Sequence, residues 1–174
     1  ESIHDTGHGG IIVSVHQQIG GIELYRSAAK VLLARDLRLI AIGGNLHADA
    51  VATEKYGSFS LSGADAVAVA LTDLHGVHVV GADLFDGGAL AGGYRGLSLS
   101  THASTEASVV KMRRPARFKP VYFPLPEGLV PAYFLELSTT DLTTGEPDAY
   151  AYVIAANDGR ILQRTNLTHT DTFS

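Results

Sequence analysis

Apolar and polar positions alternate along the first third of the chain. Ile11, Val13 and Val15 are set against Ile12, Ser14 and His16, and the alternation resumes beyond Gly20-Gly21, from Ile22 through Leu24 to Val31 and Leu33. A period of two is that of a half-buried β-strand. The Gly-Gly pair between the runs can take the positive φ angles of a tight hairpin turn. Arg35-Asp36 lies near the next reversal, and LRLIAIGGNL, residues 37–46, predicts a third strand. These strands make an antiparallel meander with one side to be covered.

The period then changes. Ser62-Gly63-Ala64-Asp65 has the form of a capping box, with Ser62 as N-cap and Asp65 near the N3 position. Ala64, Val67, Ala68, Leu71 and Leu74 follow at helical spacing until Gly76, which predicts a helix over 62–75 packed on the first sheet. Residues 77–104 are dense in Gly and Ala and read as a loop or irregular segment; a short pairing strand around Val77 to Leu84 is the other reading.

Strand patterns return in the C-terminal part. Two β-rich runs, 118–125 and 129–138, flank Pro126-Glu127-Gly128. Two more, 148–155 and 160–167, flank the hairpin signal Asn157-Asp158-Gly159. The tail THTDTFS has no period. With no βαβ alternation, the expected class is α+β: two antiparallel β-sheet subdomains, each a meander, with at least one packed helix.

Composition narrows the function. A 45% hydrophobic and 18% charged chain folds, and no apolar run approaches the roughly 18 residues of a membrane span. The net charge of -5 argues against nucleic acid as a partner, and Lys111, Arg113 and Arg114 read as a solvated basic face. With no cysteine, disulfides and thiolate metal sites are excluded. The chain opens on Glu1 instead of Met, which reads as a processed product or an excised part of a longer chain.

Candidate chemistry is sparse. His4 and His8 stand four apart, but HDTGH contains a glycine and lacks the glutamate of H-E-x-x-H; His16, His47, His102 and His169 are isolated, and His75 and His78 straddle Gly76. No G-x-S-x-G elbow or G-x-x-x-x-G-K-[ST] phosphate loop occurs. Asp83 and Asp86 are a carboxylate pair that nothing sets in a cleft. No catalytic residue, metal ligand or cofactor is expected. Asn166-Leu167-Thr168 matches the N-glycosylation sequon.

One longer pattern carries a family resemblance. VHQQIGGIELYRSAAKVLLARDLRLIAIGGNL resembles the propeptide module (FTP) shared by fungalysin- and thermolysin-type secreted metalloproteases, in which a glutamine-bearing strand, a glycine turn and a returning apolar strand precede a Gly-Gly-Asn strand end. Gln17 or Gln18, Gly20-Gly21, Asp36 and Gly43-Gly44-Asn45 stand in those places. VPAYFLELSTTDLTTGEPDAYAYVIAANDGRILQRTNLT is similar to the PepSY-like end of these propeptides, and Arg164-Thr165-Asn166-Leu167-Thr168 favours the fungalysin type.

The resemblance implies a cystatin-like/PepSY-like fold, with an FTP-like subdomain over 1–104 and a PepSY-like subdomain with a linker tail over 105–174. It further implies a secreted, non-catalytic propeptide that acts as intramolecular chaperone and inhibitor of a cognate zinc metalloprotease domain. A free-standing inhibitor acting in trans is the alternative. Leu167, Thr168, His169, Thr170 and Asp171 would lie in or near the partner's active-site groove, with His169 or Asp171 able to approach its zinc. Gln17 or Gln18 would satisfy backbone or partner groups, a glutamine simply facing solvent being the other reading.

Overall fold

The computed structural model describes residues 2–48, 50 and 56–168. Its elements in chain order are strands β1 (Ser2–His4), β2 (Ile11–Ile19), β3 (Ile22–Leu33) and β4 (Leu39–Asn45), helix α1 (Gly63–His75), then β5 (Leu84–Ala89), β6 (Arg95–Leu99) and β7 (Lys111–Met112). Four longer strands complete the chain: β8 (Ala116–Leu125), β9 (Gly128–Thr140), β10 (Pro147–Ala155) and β11 (Ile161–Asn166). The class is α+β. Pairing joins the strands in the order β1-β2-β3-β8-β9-β10-β11, with β4 on β3, β6 on β8, β5 on β6 and β7 on β9.

The two separate antiparallel sheets expected from the pattern are therefore one open sheet of mixed direction. The parallel element is short: Glu23 and Leu24 of β3 pair with Val121 and Tyr122 of β8. Alternation within a strand specifies its faces but not its neighbour, so this pairing has no local signature.

Compactness divides the chain into two units. The first lies within residues 1–56 and 121–129, the second within 57–120 and 130–174, so the backbone passes between them inside β8 and β9. This partition follows compactness, whereas the 1–104 and 105–174 division follows motif order.

In the first unit, β1 to β4 form the antiparallel meander. Gly20 and Gly21 take φ of 57° and 84°, the pair of positive angles that a two-residue hairpin turn requires. Gly44 answers to a different need: a Cβ there would stand 2.3 Å from the Ala28 carbonyl oxygen, because β3 and β4 approach closely. The buried core of this unit is small, made by Ile19, Leu24 and Leu129 with Tyr56 and Tyr122 against them.

The second unit holds the larger core and the helix. Ser62 caps α1 as predicted: its hydroxyl accepts from Asp65 N at 3.1 Å, and the Asp65 carboxylate accepts from Ser62 N. Val67, Ala68 and Leu71 are buried and Leu74 is partly so, with Ala66 and Ala70 widening the stripe. The partner differs from the expected one. The helix packs in the second unit, over Leu135 and Leu137 of β9 and Tyr152 and Ile154 of β10, because these strands supply the apolar face that the stripe needs. A polar bond ties the two layers: Tyr152 Oη donates to Asp73 Oδ2 at 2.8 Å, and Arg164 Nη1 lies 3.3 Å from the same oxygen.

Residues 77–104 are more ordered than their composition suggests. β5 and β6 form a hairpin, and the pairing strand expected near Val77 to Leu84 instead begins at Leu84. Leu84 and Leu97 reach the core, but glycines between them interrupt the alternation. Asp83 is buried and organises the approach: Oδ2 accepts from Val80 N at 3.0 Å and Oδ1 from Ser104 N at 2.7 Å. These N–H bonds hold its carboxyl below the usual carboxylate range. Asp86 is instead paired with Arg95.

Candidate functional site

Three features bear on function: the glutamine beside the first hairpin, the apolar face of the meander, and the start of the tail. The first arises from an irregularity. β2 and β3 pair regularly from Ile11↔Leu33 to His16↔Ala28, then resume at Gln18↔Glu23, so Leu24–Ser27 stand opposite Gln17 alone. The excess is taken up by a bulge in which Arg26 adopts φ 55°. A bulge leaves backbone and side chains free to turn away from the ladder, and here Gln17 and Ser27 face the end of β4. Gln17 Nε2 donates to the His47 carbonyl at 3.0 Å, and Gln17 Oε1 accepts from His47 N at 2.9 Å and from Ser27 Oγ at 2.6 Å. Of the two glutamines singled out in the sequence, Gln17 is thus half-buried and engaged, whereas Gln18 is exposed.

The register of the meander sorts its side chains. Ile3, Val13, Val31 and Ile42 stand opposite one another across the four strands. Ile11, Leu33 and Leu39 form the next row on that face, and Val15, Ala29 and Gly44 the row beyond. The face is apolar throughout. Its other side alternates His4, Ile12, Leu32 and Ala41 with Ser2, Ser14, Lys30 and Gly43. None of the apolar-face residues belongs to either buried cluster, and Ile3 and Ile42 are 67% and 65% exposed. Contiguous exposed apolar surface of this kind is a candidate interaction surface. β4 reinforces the point: it is exposed along its whole length and carries no charge or proline to guard an edge.

At the other end of the chain, Leu167 N continues the β11 ladder by donating to Ala149 O at 2.7 Å, and its side chain is 47% exposed. Thr168 N and Oγ1 both donate to Asn166 Oδ1, while Asn166 Nδ2 donates to Tyr150 Oη at 3.2 Å. The sequon asparagine is thus the centre of a local turn. His169, Thr170 and Asp171 lie outside the described residues. Gln17 and Leu167 fall in different units, so each is read within its own.

Among the described residues, no three His, Cys, Asp or Glu side chains gather as a metal-binding group. His75 ends α1 partly buried, and desolvation lowers its pKa against the opposing pull of Asp148 and Asp141. Its Nε2 is buried without a hydrogen-bond partner among the described residues.

No protein-family profile matches the chain, and no curated protein sequence does either. Functional inference therefore rests on the residues and their placement.

One feature of the site leaves no signal in the sequence, and another leaves only part of one. His47 is the partner of Gln17, thirty residues on, and nothing between them signals it. The apolar face was half legible, since Ile11, Val13 and Val15 alternate visibly, but its width depends on the β3–β4 register.

Proposed function

We propose that the chain is the non-catalytic propeptide of a secreted zinc metalloprotease of the fungalysin type, with FTP-like and cystatin-like/PepSY-like parts. It serves as an intramolecular chaperone and inhibitor. The observation that carries this reading is the open apolar face of the meander, Ile3-Val13-Val31-Ile42 and its flanking rows. A folded chain that leaves such a face bare has a partner for it. The motif order from Gln17 through Gly43-Gly44-Asn45 to the Asn157-Asp158-Gly159 hairpin names the partner class.

A β surface presented to a slowly folding protease stabilises its folding transition state, and covalent attachment holds that surface at high effective concentration. The catalytic metal belongs to the partner domain. Leu167, Thr168, His169, Thr170 and Asp171 lead toward its groove, where an extended segment can add to a cleft edge.

The experiment has two parts. The reading frame beyond Ser174 is inspected for H-E-x-x-H, and the protease domain it encodes is refolded with and without this chain. The expected result is recovery of activity only with the chain, followed by inhibition. Ile42→Asp, at an exposed position, leaves the chain folded by circular dichroism and weakens inhibition at least about tenfold. Full chaperoning and inhibition by that variant would overturn the docking face. A frame that ends at Ser174, in a chain that inhibits added metalloproteases, would instead identify a free-standing inhibitor.

A further inference from the structure

The second unit carries a cleft of about 440 Å³, of whose lining the propeptide reading uses only Leu167. Gly96 and Leu137 are buried at its base, and Leu90, Pro115 and Leu167 form apolar walls. The absence of a side chain at Gly96 opens the base: a Cβ there would meet Leu90 Cδ1 at 3.5 Å and Pro115 Cβ at 3.9 Å. The size is that of a small-molecule or short-peptide site.

Its charges are unequal. Arg117 and Glu136 neutralise each other in a two-pronged ion pair, Nε to Oε2 at 2.7 Å and Nη2 to Oε1 at 3.0 Å. The Arg117 guanidinium also lies over the Tyr94 ring, 4.6 Å from its centroid. That pair leaves the charge of Arg117 already compensated. Arg114, which also lines the cleft, has no ion pair or hydrogen bond from its guanidinium among the described residues. Arg113 and Lys111 stand nearby in sequence, also exposed and without ion pairs among the described residues. In a chain of net charge -5, the cleft thus keeps a positive group above an apolar base.

We infer that this cleft binds a carboxylate carried on an apolar stem, with Arg114 taking the carboxylate and Leu90, Pro115 and Leu167 the stem. A planar guanidinium receives a carboxylate through two parallel hydrogen bonds, which a single amide group cannot reproduce. The same chemistry comes from the C-terminal residue of a peptide or from a free aliphatic acid, and the proposal shares only Leu167 with the propeptide reading.

The test uses the intact chain and environment-sensitive fluorescence. Three probes are titrated: dansylated undecanoate, a dansylated Ala-Leu peptide ending in a free leucine carboxylate, and the same peptide as its amide. Saturable binding of at least one free acid is expected, with the amide at least about tenfold weaker than the acid peptide if the peptide is the source. Binding of undecanoate alone identifies the aliphatic acid as the source. Arg114→Gln lowers the bound acid's affinity about tenfold, Arg113→Gln changes it less than about twofold, and Leu90→Glu removes it. Because Arg114 and Leu90 are exposed, circular dichroism of both variants should match the parent. No saturable binding of either acid, equal binding of acid and amide peptides without undecanoate binding, or full affinity in Arg114→Gln would overturn the assignment.

Discussion

Gln17 holds His47 at both its N–H and its carbonyl, at 2.9 and 3.0 Å, and together with Ser27, which donates to Asn45 O and accepts from His47 N, it anchors the end of β4 across the bulge. Replacing Gln17 by Ala removes both bonds and one of the two acceptors of Ser27 Oγ, leaving the Asn45 carbonyl. The expected loss is about 1–3 kcal/mol in urea unfolding. Gln18→Ala, at an exposed neighbour, should stay within about 0.5 kcal/mol of the parent. Equal midpoints for the two variants would show that the amide does not fasten the strand.

The helix offers a test of which strands it belongs to. Leu71 is fully buried in the cluster with Leu135, Leu137 and Tyr152. Leu71→Ala should cost about 2–5 kcal/mol, and Leu71→Asp should unfold its unit by burying an unpaired charge. Hydrogen exchange locates the damage: β9 and β10 lose protection in proportion to the destabilisation. If only β2 and β3 lost it, the helix would belong to the first unit's strands and its packing on β9 and β10 would be wrong.

Tyr152 is buried with its hydroxyl donating to Asp73. Burial, then the Asp73 bond and charge, push its pKa above the ordinary tyrosine value of 10.0. A raised folded-state value means the neutral hydroxyl contributes stability that is complete below the unfolded value and lost as pH rises through the folded one. Spectrophotometric titration should therefore show a late step above the ordinary range, shared with Tyr133, whose pKa burial also raises. Tyr152→Phe should shrink that late step and cost about 1–2 kcal/mol at neutral pH. A complete, reversible tyrosine titration in the folded state near pH 10 would contradict the assignment.

Acid should find a different weak point. The Asp83 carboxyl is lowered chiefly by its bonds from the Ser104 and Val80 N–H groups. For a depressed folded-state value, the stabilisation is present above the unfolded value of 3.8 and lost as pH falls through the folded one. Melting temperature should drop on acidification, and Asp83→Asn should lower it at neutral pH while flattening that acid dependence. An unchanged acid slope in the variant would assign the loss to other carboxylates.

What was readable in the sequence was local. The Ser62 cap and the Val67-Leu71 stripe specify a helix because both signals lie within a few turns, and Gly20-Gly21 specify a hairpin because the turn needs two positive φ angles. What could not be read depends on distant partners: the bed of the helix, the parallel Glu23↔Val121 pairing and the Gln17–His47 bond. The β5–β6 hairpin escaped for a compositional reason, its glycines diluting the alternation of Leu84, Phe85 and Leu97. In the candidate site, the apolar residues were visible one strand at a time, and the register assembled them into a face.

The parallel pairing of β3 with β8 also sets an order in time. The small core of the first unit needs Leu129, and Glu23 waits for Val121, so closure spans about 100 residues. Against a loop of about ten residues, that closure costs about 2 kcal/mol more in chain entropy. A ribosome therefore releases the N-terminal hairpin long before the segment that completes it. Contacts of such high sequence separation slow folding. The strands of the first unit are thus made well before the segment that completes them, and their exposed edges pass through synthesis as a region in need of protection from misassembly.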